Sequence, residues 1–145
     1  MPSLDELQDF WSGDVNIDNT DLANESIKIP KLHAKYYKLY SRENLLLQKL
    51  SRDYDKLYLL KSEYYLGKIS DEDLKANNWQ PFELKVLRQD LEMYLQADNA
   101  IIELLLKIAV QREKADFLKD VIKQITNRNF TIKNAVDFLR FCAGG

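Results

Sequence analysis

Apolar residues at the start of the chain recur at helical spacing. Leu4, Leu7, Phe10 and Trp11 lie three and four apart and predict a short amphipathic helix ending at Gly13. Farther on, Leu32, Tyr36, Leu39, Leu46, Leu50, Leu57, Leu60 and Tyr64 form a long seam. One position behind it runs a basic row: Lys31, Lys35, Lys38, Arg42, Lys49, Arg52 and Lys56. One residue is about 100° of rotation, so the cations flank the seam without entering it. No Gly or further Pro interrupts the pattern before Gly67, which predicts a long helix over residues 28–68. Pro30 stands in its first turn or inside a helix already begun at an Asp18 cap.

The second half repeats the logic. Ser70-Asp71-Glu72-Asp73 reads as a cap before a short turn of helix, and Asn77-Asn78-Trp79-Gln80-Pro81 as a break. Val86, Leu91, Tyr94, Leu95, Ile101, Leu105, Ile108, Leu118, Val121 and Ile125 predict a second long helix over 82–126. Around Leu104, Leu105 and Leu106 the apolar arc is nearly complete, so burial by several neighbours is expected there. Gln111 to Asp116 is polar and marks a bend or a fresh helix start. Asn127-Arg128-Asn129 reads as a turn, and Thr131 as the cap of a last helix over 131–143. The expected class is all-α: two long helices in an antiparallel hairpin, with short N- and C-terminal helices.

Composition agrees with that class and narrows the partners. A chain of 145 residues with 46% hydrophobic and 30% charged residues fits one folded, helix-rich domain. Four glycines and three prolines are few for an all-β domain. Cys142, the single cysteine, has no partner for an internal disulfide, which fits a reducing cytoplasm. The longest apolar run, Ala100 to Val110, contains Glu103 and Lys107 and is too short to cross a bilayer, so no membrane partner is expected.

The net charge of −2 conceals segregation. Residues 1–27 hold seven acids and no base, whereas residues 28–68 hold ten bases against Glu43, Asp53, Asp55 and Glu63. The acidic segment is either a solvated surface or a strip that docks on a basic partner. The basic row is either the charged flank of a helical bundle or a track for nucleic-acid phosphates. Tyr64 and Tyr65 are stacking faces for unpaired bases in the second reading and core residues in the first.

Catalytic chemistry has little to stand on. His33 has no second histidine for a zinc pair, and Cys142 sits among phenylalanines as a small apolar packer. Gly67-Lys68 lacks the upstream glycine of a phosphate loop. No enzyme activity, metal or cofactor is expected.

Particular segments say more than periodicity. Leu4-Asp5-Glu6-Leu7-Gln8 with Asp14-Val15-Asn16-Ile17-Asp18-Asn19-Thr20, then Lys61-Ser62-Glu63-Tyr64-Tyr65-Leu66-Gly67, then Asn127-Arg128-Asn129-Phe130-Thr131-Ile132-Lys133 together resemble the UvsY family of recombination mediators of large tailed phages. The resemblance spans nearly the whole chain. It implies a non-enzymatic helical protein that binds single-stranded DNA, loosens single-strand-binding protein and helps the phage recombinase nucleate its filament. It also implies a ring of six or seven subunits and a setting in the cytoplasm of the infected host. In that family, basic residues five and three positions before the first tyrosine of the motif are implicated in DNA binding. Lys61 fills the nearer position here, whereas Leu59 fills the farther, with Lys56 one turn back. Pro30 is not a general feature of the family.

The DNA-binding candidates are therefore Lys61, Tyr64 and Tyr65, with Lys49, Arg52, Lys56 and Lys68. The oligomerisation candidates are Ile132, Val136, Phe138, Leu139 and Phe141, because the last helix is too apolar to face water. A non-catalytic bundle adaptor without nucleic-acid binding is the alternative.

Overall fold

Ser3 opens the first helix by the means its position suggests. Its Oγ accepts the Glu6 N–H at 3.1 Å, and Asp5 and Glu6 place negative charge against the first-turn amides. The computed structural model describes residues 2–144. Its elements are α1 (Leu4–Asp14), α2 (Leu22–Tyr65), α3 (Asp71–Ala76), a 3₁₀ turn (Arg88–Asp90), α4 (Leu91–Gln96) and α5 (Asn99–Cys142). Helices account for all of them, so the class is all-α as the periodicity predicts.

Several boundaries differ from expectation. Asp18 does not cap α2. Its carboxylate accepts the N–H and hydroxyl of Thr20, closing a local turn, and the helix opens at Leu22. Pro30 lies inside α2, where it withholds one backbone donor from the exposed turn before it.

The predicted helix over 82–126 is not one element. Residues 82–87 are non-helical, and α5 begins only at Asn99, where the Asp98 carboxylate accepts the Ile101 N–H at 3.0 Å. Asp98 thus caps α5 in the middle of a pattern that looked continuous. The separate helix over 131–143 is also corrected, since α5 runs unbroken through Asn127-Arg128-Asn129. Arg128 is buried there and bonded to the Asp14 carbonyl oxygen, and Thr131 turns its hydroxyl back to the Asn127 carbonyl. Tertiary contacts at Arg128 outweigh the weak turn preference of its neighbours.

The chain packs as two compact units. Unit 1 comprises residues 1–45 and 111–145. Its core joins Leu7 and Trp11 of α1, Tyr36 of α2, and Leu118, Val121 and Ile125 of α5. Tyr36 is fully buried, with Trp11 edge-on to its ring at 5.4 Å. The two long helices are antiparallel here. Glu25 pairs with Arg128, Tyr36 packs against residues 118–125, and Glu43 meets Gln111 and Lys114.

Unit 2 comprises residues 46–110. Val86, Leu95, Ile101 and Ile108 are buried within it. The expected burial around Leu104 to Leu106 fails: Ile101 and Ile108 face inward, whereas Leu105 and Leu106 are exposed. Neighbouring elements cover one side of that turn, and the apolar arc is wider than that side.

Candidate nucleic-acid interface

The basic row of α2 is largely open to solvent. In unit 2, Lys49, Arg52 and Lys56 are exposed at i, i+3 and i+7, which places them on one face. Lys49 reaches Asp53 at 3.3 Å and Arg52 reaches Asp55 at 3.8 Å. Such exposed pairs hold their cations weakly, which leaves them available to another anion. Lys56 and Lys68 are exposed with no ion pair among the described residues. In unit 1, Lys28, Lys31, Lys35, Lys38 and Arg42 are exposed in the same way.

Lys61 is different. Its ammonium is buried, 3.1 Å from the Asp98 carboxylate and 4.0 Å from the centre of the Trp79 ring. The Tyr64 ring lies 5.3 Å from the same ammonium. A cation under an indole with one carboxylate beside it is a packed structural group, not a free contact for phosphate. The structure thus sets this DNA-binding candidate apart from the exposed row of α2.

Tyr64 and Tyr65 lie in the same cluster. The Tyr65 hydroxyl donates to Asp98 at 2.6 Å, and the Tyr64 hydroxyl donates to the Gln80 carbonyl at 2.7 Å. Their rings meet Trp79, Phe82 and Tyr94 at centroid distances of 4.9–5.8 Å. Both side chains are half-buried, and these edge-on and tilted ring contacts tie them to the fold.

Asp98 is the hub of this cluster. Burial pushes its carboxyl pKa up, but hydrogen bonds from Tyr65 and Ile101, with the bond and charge of Lys61, outweigh it and leave the group below the ordinary Asp value. Burial also pushes the Tyr65 phenol upward, reinforced by its bond to Asp98. Neither Asp98 nor Trp79 is singled out by sequence pattern. The one available signal is an Asp at the N-cap position before Asn99-Ala100-Ile101.

The terminal part of α5 divides the assembly candidates. Ile132 is buried in the chain's own fold, which removes it from any external surface. Val136 is half-buried, while Leu139, Phe138 and Phe141 are exposed, the two phenylalanines by 65% and 78%. Cys142 is exposed too, so it is not the packed residue its phenylalanine neighbours suggested. Among the described residues there is no metal-binding cluster of His, Cys, Asp and Glu. None of their helices is long and apolar enough to cross a membrane.

A family described as "Recombination, repair and ssDNA binding protein UvsY" matches residues 10–145. The chain belongs to the UvsY family. A curated UvsY relative, the recombination protein uvsY of Enterobacteria phage T4, is 25% identical over 143 residues, covering 97% of this chain and 98% of the relative. Two crystal structures of the bacteriophage T4 recombination mediator protein UvsY share the fold. One has a TM-score of 0.85 at 22% identity, covering 99% of both chains. The other has a TM-score of 0.84 at 20% identity, covering 97% of this chain and 99% of that chain. The UvsY motif expected to carry DNA contacts, Lys61 to Gly67, is thus the segment this structure places around a packed aromatic cluster.

Proposed function

We propose that the chain is a recombination mediator that holds single-stranded DNA chiefly on the exposed cations of α2 and of the turn that follows it. Lys49, Arg52, Lys56 and Lys68 supply phosphate contacts, while Lys61, Tyr64 and Tyr65 act indirectly by holding the end of α2 in place. The observation that carries this reading is the exposed Lys49–Arg52–Lys56 face in a chain of the UvsY family. Each phosphate contact on a single strand contributes a slope of roughly −0.7 in log affinity against log salt. A mediator of this kind loosens single-strand-binding protein and assists a phage recombinase in starting its filament. Assembly into a ring of six or seven copies would multiply weak contacts through effective concentration. Phe138, Leu139 and Phe141, with Val136 beside them, are the surface for that assembly.

The test is filter binding of mixed-sequence single strands at two salt concentrations. Replacing Lys49, Arg52 and Lys56 together by Ala should weaken retention and flatten the salt slope. Equal retention by the triple variant at both salts removes this face from the DNA path. For assembly, a polar double replacement at Phe138 and Leu139 should give smaller species in sedimentation, and an unchanged mass counts against this surface.

A second reading is a structural adaptor in which acidic and basic segments pair. Its motive is the contact of Asp14 with Lys35 and Tyr36 and of Glu25 with Arg128, which joins the acidic start to basic residues of the same chain. Absence of any single-strand retention by the wild-type chain would favour it.

A further inference from the structure

Unit 1 contains a cleft of about 580 Å³ that the family's motif does not touch. Lys28, Lys31, Lys35 and Arg128 line it, against Asp14 and Glu25. Both acids are already engaged. Glu25 holds Lys28 at 3.2 Å and Arg128 at 3.8 Å, and Asp14 holds Lys35 and the Tyr36 hydroxyl. Lys31 makes no ion pair among the described residues, and Lys28 and Lys35 keep exposed side chains.

Arg128 is the built part of the site. It is buried at 5% exposure over the Trp11 ring, at 5.6 Å. One terminal nitrogen donates to the Asp14 carbonyl oxygen, and the other lies 3.8 Å from the Glu25 carboxylate, an ion pair longer than a hydrogen bond. A guanidinium has five N–H donors, so this one retains donor capacity at the edge of the cleft.

We infer that this cleft seats consecutive phosphates of a single DNA strand, with Lys31 as the principal outer contact and Arg128 as the inner one. The inference rests on the single-strand-binding reading above and adds a second contact region to it. Lys28, Lys31 and Lys35 rise along the helix by about 4.5 and 6 Å, so they offer successive donors to a linear polyanion. An acidic peptide would meet the same cations. However, a phosphodiester can accept from several donors at once through its two free oxygens, and an unpaired lysine beside an incompletely used guanidinium suits that demand.

Trp11 reports on the site because Arg128 lies over its ring. In a Trp79→Phe background it is the only tryptophan. Titration with a thymidine tetranucleotide should change its emission saturably. Lys31→Glu should weaken that response by about tenfold or more, while helix content stays as in the parent. Lys31→Ala should lower the salt slope by roughly 0.7. A separate filter-binding measurement with long single strands tests the parent reading. If long strands are retained but Trp11 stays silent and Lys31→Glu binds normally, the cleft proposal falls and the parent reading stands. If Trp11 responds with the Lys31 dependence and the Lys49, Arg52 and Lys56 triple variant retains long strands as the parent does, the cleft stands and the Lys49–Arg52–Lys56 face does not. If both measurements are blank, both readings fall. Saturation by inorganic pyrophosphate at the same concentration, or by a hexaglutamate peptide in place of the tetranucleotide, overturns the assignment to a DNA strand.

Discussion

Each unit buries a lysine beside a carboxylate, but the surroundings differ. In unit 1, Lys114 lies 3.0 Å from Glu43, and Gln111 donates to both the Glu43 carboxylate, at 2.6 Å, and its backbone carbonyl, at 2.7 Å. These partners project from two continuous helices, and an independent apolar core of Leu7, Tyr36, Leu118 and Ile125 supports the unit. In unit 2, Lys61 depends on Asp98, and that same carboxylate also caps α5 and accepts from Tyr65. The rest of its cage is Trp79, from a non-helical segment, and Tyr64. One carboxylate with three tasks is a concentrated dependence, whereas the unit 1 pair is an addition to a core that stands beside it. The lesson is that a buried charge pair contributes according to what else fails when it is broken.

The largest effect should come from Asp98→Ala. It strands the Lys61 ammonium, removes the α5 cap and frees the Tyr65 hydroxyl, so a loss of about 4 kcal/mol in urea unfolding is expected. A loss below about 1 kcal/mol would show that Lys61 rehydrates by displacing Trp79, and the contrast between the units would disappear. Lys61→Ala sharpens the same point. It should lower stability along with DNA retention, whereas a direct phosphate ligand would lower retention alone.

Glu43→Ala should cost somewhat less, about 3 kcal/mol, because Gln111 keeps its bond to the backbone carbonyl. Glu43→Leu combined with Lys114→Met should return to within about 1 kcal/mol of the parent. If the double variant is as unstable as the single, the unit 1 pair is not merely an addition to its core.

Acid should act on the same contrast by a smaller amount. Asp98 has a folded pKa below its ordinary value of 3.8, and Asp14 likewise. Burial raises the Asp14 value, but hydrogen bonds from Lys35 and Tyr36 and the nearby positive charges outweigh it. A depressed carboxyl pKa contributes stability that is present above the unfolded value and lost as pH falls through the folded value. Melting temperature should therefore drop on acidification below about 3.8. Asp98→Asn should start lower and fall less steeply over that window. An unchanged slope would assign the acid sensitivity to unit 1, where Asp14 and Asp18 are both held below their ordinary value.

The smallest effect belongs to Arg52→Ala. The side chain is 83% exposed and its partner lies at 3.8 Å, so stability should stay within about 0.5 kcal/mol by thermal melting. A larger loss would mean that the exposed α2 face carries structure as well as charge.

Much of this was legible in the residues themselves. Ser70 announces its helix because capping is local chemistry, satisfied within three residues. The seam of α2 and the basic row beside it follow from spacing alone, because a helix without Gly or Pro must place every third and fourth residue together. The charge segregation is read directly from the residues, and the three motif segments sufficed to indicate the family. Other boundaries depended on partners far along the chain. Asn127-Arg128-Asn129 looks like a turn until Arg128 meets the carbonyl of Asp14, 114 residues away. Asp98 looks like one polar position in a long helix until Lys61 and Tyr65 converge on it. The apolar arc at Leu104 to Leu106 predicted burial because periodicity registers hydrophobic width and not how many neighbours exist to cover it. Lys61 itself is the sharpest case. Its place beside the basic row follows from helical period, but whether the cation faces water or an indole is set by the fold of residues 77–98. The sequence thus determined which faces α2 presents, and only tertiary packing decided which of its charges remain free, because desolvation depends on neighbours that local spacing cannot specify.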